Sequence, residues 1–269
     1  MSDDAPVEHA LGNYRIALAS AFGPRITGLT VDGEGDLLAR PPQAAFHGGH
    51  RLWAAPEIPE ITYAPDDQPC TLSLETGRVT ATGPPDGAGF SKRISVGLDG
   101  ASLLVEHELT NATATPRRVA PWAVTQLKLG GTALLPVGSR DDTGDLQADR
   151  SVVLWPYTRL NDPRLVWLDG GVAVTATPGG KLKVGSGPHP ARLGYYKDGF
   201  VFVKEVGAVD GPWPDRGAVG QVFTNEVFCE VESVGALMTL GPGETATHRE
   251  RWRLLPCPDL DAARQELGL

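Results

Sequence analysis

Arg93-Ile94-Ser95-Val96 and Ser102-Leu103-Leu104-Val105-Glu106-His107-Glu108-Leu109 decide how the rest of the chain is read. Apolar and polar residues alternate through both stretches. That is the period of a β-strand with one wet face, and it does not fit the 3.6-residue period of a helix. Working outward, the alternation runs on over 70–132 and further strands are predicted over 14–20, 25–31, 119–129, 152–155, 172–177, 200–205, 227–234, 237–240 and 245–254, more than a dozen in all. Phe22-Gly23-Pro24 makes the turn of an opening hairpin that Asp32-Gly33 closes, and residues 111–116 form another turn. Residues 41–69 lack periodicity and read as a long loop rich in His, Arg, Trp and Glu, a composition that tends to carry function. Only residues 259–269 read as a helix, with Asp259 as N-cap and Leu260, Ala263 and Leu267 as a weak apolar stripe.

Composition agrees. The 33 glycines and 23 prolines are spread along all 269 residues, as many short strands joined by turns require. A hydrophobic content of 41% builds a sizeable core, and one domain over 1–269 is the default for an all-β chain of this length. No fixed-period repeat is present, so the fold class predicted is a large antiparallel sandwich. A net charge of −9 argues against a nucleic-acid partner, which would need clustered Lys and Arg. The first five residues carry no basic or apolar leader, and no run of 18 apolar residues occurs, so neither secretion nor membrane insertion is predicted. Cys70, Cys229 and Cys257 are odd in number and lack metal-ligand spacing, which suits reduced thiols and a cytoplasmic location.

Three segments resemble the galactose-mutarotase-like superfamily, and more narrowly its uncharacterised DUF4380 branch. They are His47-Gly48-Gly49-His50-Arg51-Leu52-Trp53 running on to Pro56-Glu57, Ala120-Pro121-Trp122-Ala123-Val124-Thr125-Gln126-Leu127, and Phe228-Cys229-Glu230-Val231-Glu232-Ser233-Val234-Gly235. Leu240-Gly241-Pro242-Gly243-Glu244 and Glu250-Arg251-Trp252 follow the third, while Leu154-Trp155-Pro156-Tyr157 and Asp162-Pro163-Arg164 fall between the second and third. The resemblance implies a β-supersandwich with a ligand groove on the concave face of its larger sheet. It also implies cofactor-free proton transfer on a sugar, by a carboxylate base and a histidine acid. Glu232 best matches the base. Where the family's histidine should stand, this chain has Thr125, Gln126 and Leu127, which leaves His50 and His47 as substitutes for the acid.

The residues themselves support several readings. Glu230 and Glu232, two apart, would place two carboxylates on one strand face, where repulsion raises one pKa; alternatively they are the solvated face of an edge strand. His47, His50 and Glu57 have the chemistry of zinc ligands, but two intervening glycines fix no geometry, so no metal is predicted. The glycines instead suit close backbone approach to a ligand. Arg51, Arg164 and Lys204 would suit an anionic substrate. Trp53, Trp122, Trp155 and Tyr157 would give flat walls for a sugar ring, with Gln126 beside them. Hydrolase, kinase and redox motifs are missing. The first expectation is thus an epimerase-like enzyme acting on a small carbohydrate without cofactor. Its rivals are a non-catalytic sugar-binding or sensing domain and a pathway-specific isomerase or lyase on the same fold.

Overall fold

Two antiparallel ten-stranded sheets face each other in the computed structural model, which describes residues 5–40, 48–138, 148, 150–187, 191–208 and 210–269. Strands are numbered in chain order. The first sheet runs β1 (Val7–Leu11), β2 (Tyr14–Leu18), β3 (Ile26–Val31), β4 (His50–Ala55), β9 (Arg117–Lys128), β18 (Phe228–Val234), β17 (Gly220–Thr224), β14 (Leu182–Ser186), β11 (Val152–Leu154). The short β19 (Met238–Leu240) also pairs with β9. The second sheet runs β12 (Leu165–Leu168), β13 (Gly171–Thr175), β10 (Thr132–Pro136), β15 (Ala191–Lys197), β16 (Phe200–Val206), β20 (Thr245–Pro256), β8 (Ser102–Asn111), β7 (Phe90–Asp99), β6 (Arg78–Thr82), β5 (Thr71–Glu75). The predicted sandwich is the observed one.

Alternation places the core. Ile16, Ile26, Leu127 and Val231 of the first sheet meet Ile94, Val105, Tyr195, Phe202 and Trp252 of the second, all at 1% exposure or less. The terminal helix α2 (Leu260–Leu267) covers the outside of the second sheet, seating Ala263 and Leu267 on Leu134, Val201 and Val203. Asp259 caps its first turn by accepting from the Ala262 N–H, as its position predicts. Among the described residues no such helix lies on the outer face of the first sheet, and the polar residues gathered on its central strands lie there.

The 41–69 region departs from expectation. Within it His50–Ala55 is a strand, β4, between β3 and β9, and Pro59–Thr62 is a single helical turn, α1. All six residues of β4 are buried, so the strand shows no alternation and the period test misses it. The Gly48-Gly49 step serves packing: a Cβ on Gly49 would come within 2.1 Å of the Ile26 carbonyl, at a φ of +71° that side chains avoid. His47 lies outside the described residues. The edge-strand reading of Glu230 and Glu232 also falls, because β18 is interior, between β9 and β17.

Candidate functional site

Strand parity sorts the candidate residues onto two faces. In register, Glu230 of β18 lies opposite Gln126 of β9 and Phe223 of β17, and Glu232 lies opposite Val124 and Gln221. Val124 is in turn opposite Arg51 of β4, and Trp122 opposite Trp53. Arg51, Trp53, Trp122, Gln126, Glu230 and Glu232 therefore share the outer face of the first sheet. Lys183 of β14 joins them, since it is paired with Phe223.

These groups are tied closely together. Glu232 is completely buried, and its Oε2 accepts from Lys183 Nζ at 2.8 Å and from Trp122 Nε1 at 2.7 Å. Its other oxygen, Oε1, is buried without a partner. Glu230 Oε1 accepts from Gln126 Nε2 at 2.9 Å, and Gln126 Oε1 faces Arg51 Nη2 at 3.5 Å. Burial, then the charge of Glu232, pushes the Glu230 carboxyl up to about 8, against the opposing pull of Gln126, Lys183 and Arg51. At neutral pH the Glu230 carboxyl is thus favoured in its protonated form, beside the Glu232 oxygen that Lys183 contacts.

The tryptophans do not stand bare. Arg51 lies over the Trp53 ring at 4.7 Å, Trp53 meets Trp122 edge-on at 5.4 Å, and Lys183 sits between Trp122 at 4.5 Å and Trp155 at 4.8 Å. Gly185 leaves room for this arrangement, because a Cβ there would reach Trp155 at 3.3 Å. The rim is tyrosine: Tyr63, after α1, donates to the exposed Glu57, and Tyr157 is 41% exposed. Burial, with Glu232, Glu57 and Glu230 nearby, raises the Tyr157 phenol above its ordinary value.

His50 and Lys204 stand elsewhere. His50 precedes Arg51 in β4, so it points between the sheets, away from the outer face that holds Glu232, and it cannot serve there as the acid the sequence suggested. The parity of β4, hidden when the segment is read as loop, is the physical reason. There Thr125, His50, His107 and His248 form a chain whose proton directions follow from its end. His107 Nδ1 faces the His248 carbonyl at 3.1 Å and must donate to it, so His107 Nε2 accepts. His50 Nε2 then donates to it at 2.6 Å, and His50 Nδ1 accepts from the Thr125 hydroxyl at 2.8 Å. Lys204 Nζ contacts Glu250 Oε1 at 2.9 Å and the carbonyls of Val231 and Ala123 at 3.2 and 3.4 Å. Glu250 accepts in addition from Ser233 at 2.5 Å and from Trp252 at 2.8 Å. Burial lowers His50, His107 and His248, the last to about 3, while Lys204 overcomes burial and holds Glu250 low. His50, His107 and Glu250 together have the donor set of a cation site. Each of their atoms already has a partner in a network that balances one ammonium against one carboxylate.

Arg164 is likewise committed. Its guanidinium meets both oxygens of Asp162 at 2.9 Å and the Gly180 carbonyl at 2.8 Å. The sequence reading missed Lys183 and Tyr63. A lysine inside the apolar run Leu182-Lys183-Val184 was the available signal.

A scan of family models and a search of curated proteins find no match. Solved structures do match along nearly the whole chain. A galactose mutarotase-like protein from Lactobacillus casei ATCC 334 superposes with TM-score 0.59 at 10% identity, covering 93% of this chain and 100% of its own. A candidate aldose 1-epimerase from Escherichia coli K12 gives 0.59 at 12% identity, covering 93% and 99%. A Synechocystis sp. PCC 6803 protein gives 0.61 at 14% identity, covering 95% and 99%. Two ten-stranded sheets, one short terminal helix and these superpositions give the chain the galactose-mutarotase-like fold.

Proposed function

We propose that the protein moves protons on a sugar or similar polyhydroxylated metabolite in the manner of an epimerase, using carboxyl groups alone. The observation that carries this is the Glu230 and Glu232 pair: a carboxyl raised to about 8 beside a carboxylate with one unpartnered buried oxygen. Two proton-transfer groups of opposite protonation state on one face are what ring opening demands. Glu232 Oε1 would take the proton of the anomeric hydroxyl while Glu230 gives its proton to the ring oxygen. The C1–ring oxygen bond breaks and an open-chain carbonyl forms. Rotation about C1–C2 and the reverse transfers close the ring on the other face, returning both protons. Glu230 thereby takes the part that histidine fills elsewhere in the superfamily. Kinship with the DUF4380 branch rests on the three quoted segments and belongs to this reading.

The second reading, a binding or sensing domain, draws on the aromatic faces already covered by Arg51 and Lys183. One experiment separates the two: anomer interconversion of aldoses followed by NMR, with the wild type beside Glu232→Gln and Glu230→Gln. An enzyme loses about a hundredfold or more in turnover in either variant while retaining ligand affinity. Wild-type rates equal to buffer, with ligand still bound, would establish the binding module.

A further inference from the structure

The sequence offers three cations for an anionic ligand, and the structure separates them. Arg164 is neutralised by Asp162, which it meets with two nitrogens, although its Nη1 is buried without a partner, and Lys204 is held by Glu250 and two carbonyls. Arg51 is neither. It is 3% exposed, yet among the described residues its one polar contact is the 3.5 Å approach to Gln126, and its Nε is buried without a partner. Among the described residues it forms no ion pair. A guanidinium has five N–H donors, and leaving them dry inside a protein is costly.

Nearby charge does not remedy this. Arg25, fully buried, engages Asp66 at 2.5 Å and the Gly48 carbonyl at 3.2 Å, so the one neighbouring carboxylate is spent on the other arginine. Glu230 is occupied by Gln126. Among the described residues one positive charge is left over on this face. Burial and the adjacent Arg25 guanidinium depress Arg51 to about 9, the response of a cation short of a counter-ion. Trp53 covers one flat face of the guanidinium, so the remaining donors lie along its edge, where two coplanar oxygens bind side by side.

We infer that the ligand of this groove carries a carboxylate that docks on the edge of Arg51, making the substrate class sugar acids such as uronates. The inference rests on the sugar-site reading above and adds the group that selects among sugars. Arg51 would position the carboxylate end while Glu230 and Glu232 face the reacting end.

The test is calorimetric titration and thermal shift of the full chain with three matched series: glucuronate and galacturonate, glucose and galactose, and the corresponding hexose 6-phosphates. Uronates are expected to bind at least about tenfold more tightly than their parent aldoses. That preference should shrink to within about threefold in Arg51→Met and persist in part in Arg51→Lys, which keeps the charge but not the two-pronged edge. The wild-type comparison needs no variant, so misfolding of Arg51→Met leaves the test intact. Equal binding of uronates and aldoses sinks the carboxylate and spares the sugar site. Stronger binding of the 6-phosphates also overturns it, in favour of a tetrahedral anion. Silence from all three series refutes the inference and the sugar-site reading together.

Discussion

β4, β9 and β18 present two unlike faces. Toward the second sheet, His50, Thr125 and Ser233 enter a network whose donors and acceptors close on one another around Lys204 and Glu250. On the other face, one residue along each strand, Arg51 Nε and Glu232 Oε1 are buried without partners and Glu230 carries an unusual proton. The contrast teaches where to look for function in a fold shared by many proteins. A buried polar group with its partners in place has finished its work, and one without them awaits something.

The comparison is most severely tested by pH, because the two faces have opposite signs. The three histidines titrate lower folded than unfolded, so their stabilisation is complete above about 6.5 and is lost as pH falls toward their folded values. Glu230 titrates higher folded than unfolded, so its contribution is complete below its ordinary value near 4.5 and is lost as pH rises through about 8. Between pH 4.5 and 6.5 the unfolded chain therefore binds protons on histidines that the folded chain holds neutral, and stability should fall on acidification by up to about 1.4 kcal/mol per unit for each such histidine, opposed by the same amount from Glu230. Urea unfolding across that range measures it. A flat profile would mean that the inner histidines are not held neutral.

Next in size is Lys204→Met. It strands Glu250 between the sheets, and stability should drop by about 3–5 kcal/mol in denaturant unfolding near neutral pH. A loss under about 1 kcal/mol would show that Glu250 is not the buried carboxylate described. On the opposite face, Glu230→Gln removes the group that opposes stability at high pH. The wild type should lose up to about 1.4 kcal/mol per unit from pH 6.5 to 8 relative to this variant, read as diverging unfolding midpoints. Parallel curves would reject the raised Glu230. The smallest expected effect is none: chelator treatment should leave the melting temperature unchanged, since the inner network closes through its own protons. A fall would place a cation at His50, His107 and Glu250.

How much of this was legible in the sequence follows from the same two faces. β7, β8 and β20 alternate because they are wet on one side, and Glu230 and Glu232 announce a shared face by being two apart. β4 is buried on both sides, so its six residues carry no period, and without it nothing separates His50 from Arg51. Once the segment is a strand, parity alone forbids the two to share a face. Lys183 carried a local signal in its apolar neighbours but none of its partner. It meets Glu232 across 49 residues of sequence, through β17, and no local pattern reports such a contact.

The direction of the inner chain has a last consequence. Thr125 hands its proton toward His50, His50 toward His107, and His107 toward a backbone carbonyl that has none to pass on. It is a one-way street with a closed end. Under the proposed reaction, protons exchanged on the outer face can neither be drawn from this chain of bonds nor parked in it. On that reading they exchange with solvent on the outer face, where Tyr157 and Tyr63 are exposed, and turnover would answer to buffer species.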